Sequence, residues 1–182
     1  MTKDQKLQAI AHEIERCDVC RKDKHGMAVP GEGNADADIV FVGEAPGRTE
    51  AETGRPFIGR SGKLLRSLIR EVGLLEKDVY ITSPVKYLPD YITPKPSDIE
   101  HGFTHFGKQL DVIEPKVIVL LGRVACLAVL KKNVSVVLDH GKIIEDSGRK
   151  YYITVHPAAA LRFKKMKALL LEDFEKLKLI VG

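Results

Sequence analysis

Between Ile39 and Leu65 the chain reads IVFVGEAPGRTEAETGRPFIGRSGKLL, a stretch that concentrates groups able to meet a ligand. A β-branched apolar run ends at Gly43, and Glu44, a Pro46-Gly47 turn, a second acidic cluster with Glu50, and Phe57 inside Arg-Pro-Phe-Ile-Gly follow. The pattern predicts a buried strand that delivers carboxylates and a ring into a Gly-rich loop at its C-terminal end. In open α/β sheets that is where ligands sit. A loop so rich in special residues carries function more often than it merely connects. Three other strand-like runs end in comparable loops: Ser83-Pro84-Val85-Lys86, Gly122-Arg123 and His156-Pro157-Ala158. Parallel strands would bring all four ends to one edge. Carboxylates, a lysine, a hydroxyl and a histidine would then share one crevice.

Those groups need a frame, and the apolar periodicity supplies one. Residues 4–16 read as an amphipathic helix with Leu7, Ile10 and Ile14 on one side. The loop HGMAVPGEGN leads into the first strand at 38–43, and a helix follows from about Ser61 to Val72. The second strand is Val79–Thr82; after a Pro-rich loop, a helix covers about 97–113. Val117–Leu121 is continuously apolar, as a strand covered on both faces should be. A helix over 122–131, a strand at Tyr151–Val155 and a last helix over about 166–179 complete the series. Residues 135–138 and 142–145 read either as short edge strands or as a helix and turn. Alternating strands and helices imply α/β architecture, three layers with a central four-stranded parallel sheet.

With 182 residues the chain reads as a single domain over 1–182, large enough for a real core. An apolar share of 44% beside 30% charged residues matches a soluble globular protein. No run approaches the roughly 18 apolar residues of a membrane span, and no leader-like segment opens the sequence, so a cytoplasmic, monomeric protein is expected. The formal charge of +4 is compatible with nucleic acid. Asn and Gln are scarce while Lys and Glu are abundant, a composition met in thermophile proteins. Cys126, in the run VACLAVL, reads as a small buried hydrophobe. Cys17 and Cys20 form a CxxC that composition alone leaves ambiguous.

Taken together, VPGEGN at 29–34, GEAPGRTEAETGRPFIGRSGKLL at 43–65, VYIT and VK at 79–86, PKVIVLLGRVA at 115–125 and HPAAALR at 156–162 resemble the uracil-DNA glycosylase superfamily. The family 4 type, found in thermophiles and bacteria, is the nearest. The resemblance implies a pocket that accepts a deaminated base flipped from DNA, with uracil the expected base, and hydrolysis of its N-glycosidic bond. Glu44 and Glu50 are then the carboxylates that orient water and face the cationic sugar. His156 donates to the departing base, and Ala45, Phe57 and Ser83 bind it. Leu161 and Arg162 fall where the family wedges the duplex, with Lys86, Lys164, Lys165 and Lys167 suited to phosphates. No lysine is placed as a Schiff-base nucleophile, so a monofunctional enzyme is expected, with no cofactor required for catalysis.

Two departures stand out. The family's base-reading Asn is Ser83 here, and a hydroxyl offers one donor where an amide offers donors and an acceptor together. Hypoxanthine or xanthine is therefore an alternative base, and a non-catalytic DNA-binding protein an alternative function. The family also holds a 4Fe–4S cluster on four cysteines. Cys17 and Cys20 match the first pair, but the other positions fall at Tyr87 and near Gly102. The expectation is a cluster lost, with Tyr87 and Phe103 packing in its place, or one ligated atypically. A Cys2His2 zinc site with His101 and His105 is the other arrangement these residues allow. A nucleotide-binding module is disfavoured, since neither GxGxxG with a later ribose acid nor GxxxxGK[ST] is present.

Overall fold

The computed structural model describes residues 1–91 and 93–181. In chain order the first elements are helices α1 (Lys3–Arg16) and α2 (Asp18–Arg21) and strands β1 (Lys24–His25), β2 (Glu32–Gly33) and β3 (Ile39–Val42). Helices α3 (Arg48–Thr53) and α4 (Arg60–Glu71), a 3-10 turn at Glu76–Asp78, β4 (Val79–Thr82), β5 (Leu88–Pro89) and α5 (Pro96–Ile113) follow. The remainder is β6 (Val117–Leu121), α6 (Arg123–Leu130), α7 (Val136–Asp139), β7 (Ile143–Asp146), β8 (Arg149–Thr154), α8 (Pro157–Arg162) and α9 (Lys164–Val181).

Local chemistry starts the helices where the sequence does. Thr2 and Gln5 form a reciprocal capping box ahead of α1, and Pro96 occupies the first turn of α5, where a missing N–H costs nothing. The expected parallel sheet is present as β4-β3-β6-β8. Two antiparallel edges extend it to six strands, β2 beside β4 and β7 beside β8. The ambiguous segment resolves into both readings, α7 as a helix and β7 as an edge strand. Two short helices, α3 and α8, lie where the sequence suggested loops.

Strand side chains alternate between two cores, which gives the three layers. Val40, Val42, Ile118, Leu120 and Ile153 pack with residues of α1, α5 and α6. Ile39, Phe41, Val119, Leu121 and Tyr152 pack with residues of α4 and α9. Cys126 is fully buried in the first core, as expected. Among the described residues no helix is long and apolar enough to cross a membrane.

Register fixes the site. Val42 lies opposite Thr82 on one side and Leu120 on the other, and Leu121 lies opposite Thr154. The loops at Gly43, Ser83, Gly122 and Val155 therefore leave from one edge. Strand order reverses between β3 and β6, the place where an open sheet parts to form a crevice.

Candidate active site

A cavity of about 850 Å³ occupies that edge, and Glu44, Ala45, Glu50, Phe57, Ser83, His156 and Arg162 all line it. Seven of the residues singled out from the sequence thus meet in one place. The volume is that of a small-molecule pocket.

His156 follows the end of β8 by two residues and caps α8. Its Nδ1 accepts a 3.1 Å hydrogen bond from the Ala158 amide. An acceptor nitrogen carries no proton, so the neutral ring holds its proton on Nε2, which has no partner among the described residues. Burial pulls the imidazole down to about 4, which keeps it neutral. Gly122 leaves room behind it: a Cβ there would lie 2.9 Å from the His156 Cβ.

Phe57 stands across from His156, with ring centroids 6.0 Å apart. Its backbone takes φ +51°, a left-handed conformation that costs a bulky residue roughly 1–2 kcal/mol. Three features impose it. The Glu50 Oε1 accepts bonds of 2.9 and 2.8 Å from the amides of Ile58 and Gly59. Arg66 donates to the carbonyls of Phe57 and Pro56 at 2.9 and 2.8 Å. Gly62 lets α4 press against the loop, for a Cβ there would sit 2.0 Å from the Phe57 carbonyl. The ring itself rests on Gly43, where a Cβ would be 2.4 Å from the ring edge. The strained residue is held flat against the end of β3, forming one wall of a slot.

Glu44 is half-buried and bonded to no side chain among the described residues. Burial pushes its carboxyl up, and the nearby Arg123 charge opposes the rise. It is the free carboxylate of the cavity.

A sequence profile described as the Uracil DNA glycosylase superfamily matches residues 30–178. The chain belongs to that superfamily. Over 97% of this chain and 95% of the relative, it is 40% identical to the Type-4 uracil-DNA glycosylase of Thermotoga maritima. It is 37% identical to that of Archaeoglobus fulgidus, over 97% and 94% of the two chains. A Type-5 uracil-DNA glycosylase from Pyrobaculum aerophilum is 29% identical over 73% of this chain and 66% of its own.

Three residues of this superfamily member sit differently from the sequence reading. Lys86 was expected to face DNA, yet it is 1% exposed. Its ammonium donates to the Pro30 carbonyl, Thr82 Oγ1 and Gln109 Oε1 at 3.0, 2.8 and 2.8 Å, and burial pulls it down to about 7. It braces the strand ends from inside. Glu50 reaches the cavity, but half of its carboxylate is committed to the Phe57 loop. Ser83 is buried and spends its only proton on the Val85 carbonyl at 2.8 Å.

Leu161, Arg162 and Lys164 are exposed beside the mouth. Phe163, which the sequence reading passed over, is 61% exposed between α8 and α9 and lines the cavity. Arg66 also escaped that reading, because an arginine on an amphipathic helix looks like a solvated face. It bridges Glu32 and Glu76, each at 2.6 Å, besides holding the loop.

Proposed function

We propose that this chain is a monofunctional DNA glycosylase that takes a deaminated base, uracil first, into the cavity and hydrolyses its N-glycosidic bond. The carrying observation is the His156 tautomer, a neutral donor fixed opposite a stacking ring and beside a free carboxylate. The flipped base lies against Phe57. The bond between base nitrogen and C1′ breaks with its electron pair leaving on the base. Negative charge grows on the base carbonyl oxygen, and the Nε2 proton of His156 stabilises it, a preorganised donor in a partly dry site. Water adds to C1′ and its proton passes to Glu44. Glu50 and Arg66 are positioning residues for Phe57. Leu161 and Phe163 are the apolar pair suited to fill the gap in the duplex, with Arg162 and Lys164 on phosphates.

The test is release of base from single- and double-stranded oligonucleotides carrying uracil, hypoxanthine or xanthine, read by alkaline cleavage of the abasic product. Release that persists undiminished in Glu44→Gln, or no release from any substrate, overturns the proposal.

The Ser83 hydroxyl supports a second reading of the specificity. With its proton given to Val85, it can only accept from a base, whereas an amide would accept and donate. Ser83→Asn is expected to raise kcat/KM for uracil by roughly 5- to 150-fold, the range of one buried hydrogen bond. An unchanged kcat/KM would remove this position from base reading.

Glu44 must be ionised to take a proton, so activity falls as pH falls through its raised pKa. The acid limb of kcat/KM is expected above the ordinary carboxylate range. Arg123→Ala removes the opposing cation and should move that limb to higher pH. His156, neutral above about 4, adds no limb there. A profile indifferent to Arg123→Ala would assign the limb to another group.

A further inference from the structure

The resemblance drawn from the sequence implies a four-cysteine iron–sulfur cluster, and the residues here do not fit one. Tyr87 stands at the third position, buried, with its hydroxyl 3.4 Å from the carbonyls of Ile14 and Glu15. The fourth falls near Gly102, where even a Cβ would be 2.3 Å from the Pro84 carbonyl oxygen. Two thiolates do not hold a cubane.

A different donor set has assembled in the same place. Cys17 closes α1 and opens α2, and its Sγ accepts from the Cys20 amide at 3.4 Å, so the CxxC wraps into a single turn. His101 and His105 are one turn apart on α5 and share a face. One ligand atom from each of the four residues lies within 4.8 Å of all the others. The Cys17 Sγ is already 3.1 Å from His101 Nε2. Both ring nitrogens of His105 are buried without a hydrogen-bond partner, the only side-chain atoms so left among the described residues. Native interiors rarely leave such groups orphaned, and a bound ion would satisfy one of them. Glu13 Oε2, 3.9 Å from His105 Nδ1, is placed to receive the other, as carboxylates do behind metal-bound histidines.

We propose that Cys17, Cys20, His101 and His105 hold one zinc ion in a tetrahedral site that stands where the family carries its cluster. Four donors around one zinc sit roughly 3.3–3.8 Å apart, so the present group needs only a small contraction. Two thiolates with two imidazoles suit zinc, and the C-x2-C and H-x3-H spacings are those of structural zinc sites. Here the β3–β4 half of the sheet is inserted between the two pairs. The ion would clip α1 and α2 to α5, the helix that follows the loop carrying Ser83. Its role is to hold that wall of the cavity, and no reaction step passes through it.

The full chain, produced with zinc and iron both supplied, should carry a single zinc per chain and neither iron nor acid-labile sulfide. Cobalt(II) in its place should give the visible bands of a tetrahedral ion together with thiolate charge transfer. Chelation should lower the melting temperature, and zinc should restore it, since a ligand of the folded state alone stabilises by mass action. Cys20→Ser should lose stoichiometric metal while His105→Cys keeps it. Iron with sulfide in the purified protein would overturn the assignment. So would a protein that binds no zinc and melts at the same temperature with and without it.

Discussion

Glu44→Gln is expected to lower kcat for base release by roughly 10²–10⁴-fold, the range a positioned general base supplies. The change keeps size and hydrogen-bonding capacity but cannot accept the proton that water sheds on bonding to C1′. Burial has already raised the Glu44 carboxyl, so its proton affinity is nearer the working pH than that of a solvated acid, which favours it as the base. Since no side chain among the described residues bonds to it, removing its charge breaks no internal contact, and the melting temperature should hold. Single-turnover kinetics on a uracil oligonucleotide separate the chemical step from product release. A fall of less than ten-fold would move the role of base elsewhere, with Glu50 the next carboxylate in the cavity.

His156→Asn should cost roughly 10²–10³-fold in kcat, the effect of losing one oxyanion-type donor. Asparagine is chosen because it is a good N-cap, so α8 keeps its first hydrogen bond. What disappears is the ring that carries the Nε2 proton into the cavity. DNA binding, measured by anisotropy on an oligonucleotide with an abasic site, should change little. If kcat survives the substitution, negative charge on the leaving base is stabilised by another group, and the tautomer argument fails.

The legible parts of this molecule were those decided by local apolar pattern. The four central strands carry runs of β-branched, aromatic and leucine side chains because both faces are covered. The edges were hard for the converse reason. β2 contributes two residues, and β7 alternates exposed and half-buried positions, so neither carries a strong signal. Among site residues, Glu44, Ser83 and His156 could be found because each follows a strand end, and Phe57 because it is the ring in the Gly-rich loop between α3 and α4. Lys86 misled because lysines are almost never buried, and sequence cannot show that Pro30, Thr82 and Gln109 converge on its ammonium. His101 and His105 sit at a visible helical spacing, but only the folded chain shows that it brings them to Cys17 and Cys20.

The clamp around Phe57 carries a consequence for heat. Arg66 ties that loop to Glu32 in β2 and to Glu76 in the 3-10 turn before β4, so the loop's order depends on segments that belong to the sheet. Local opening of the loop would have to break those ties as well, which assigns it to the same cooperative unit as the sheet edge. The slot then does not soften ahead of the protein. On warming, discrimination between bases persists until the whole molecule gives way, and is lost in one step rather than by degrees.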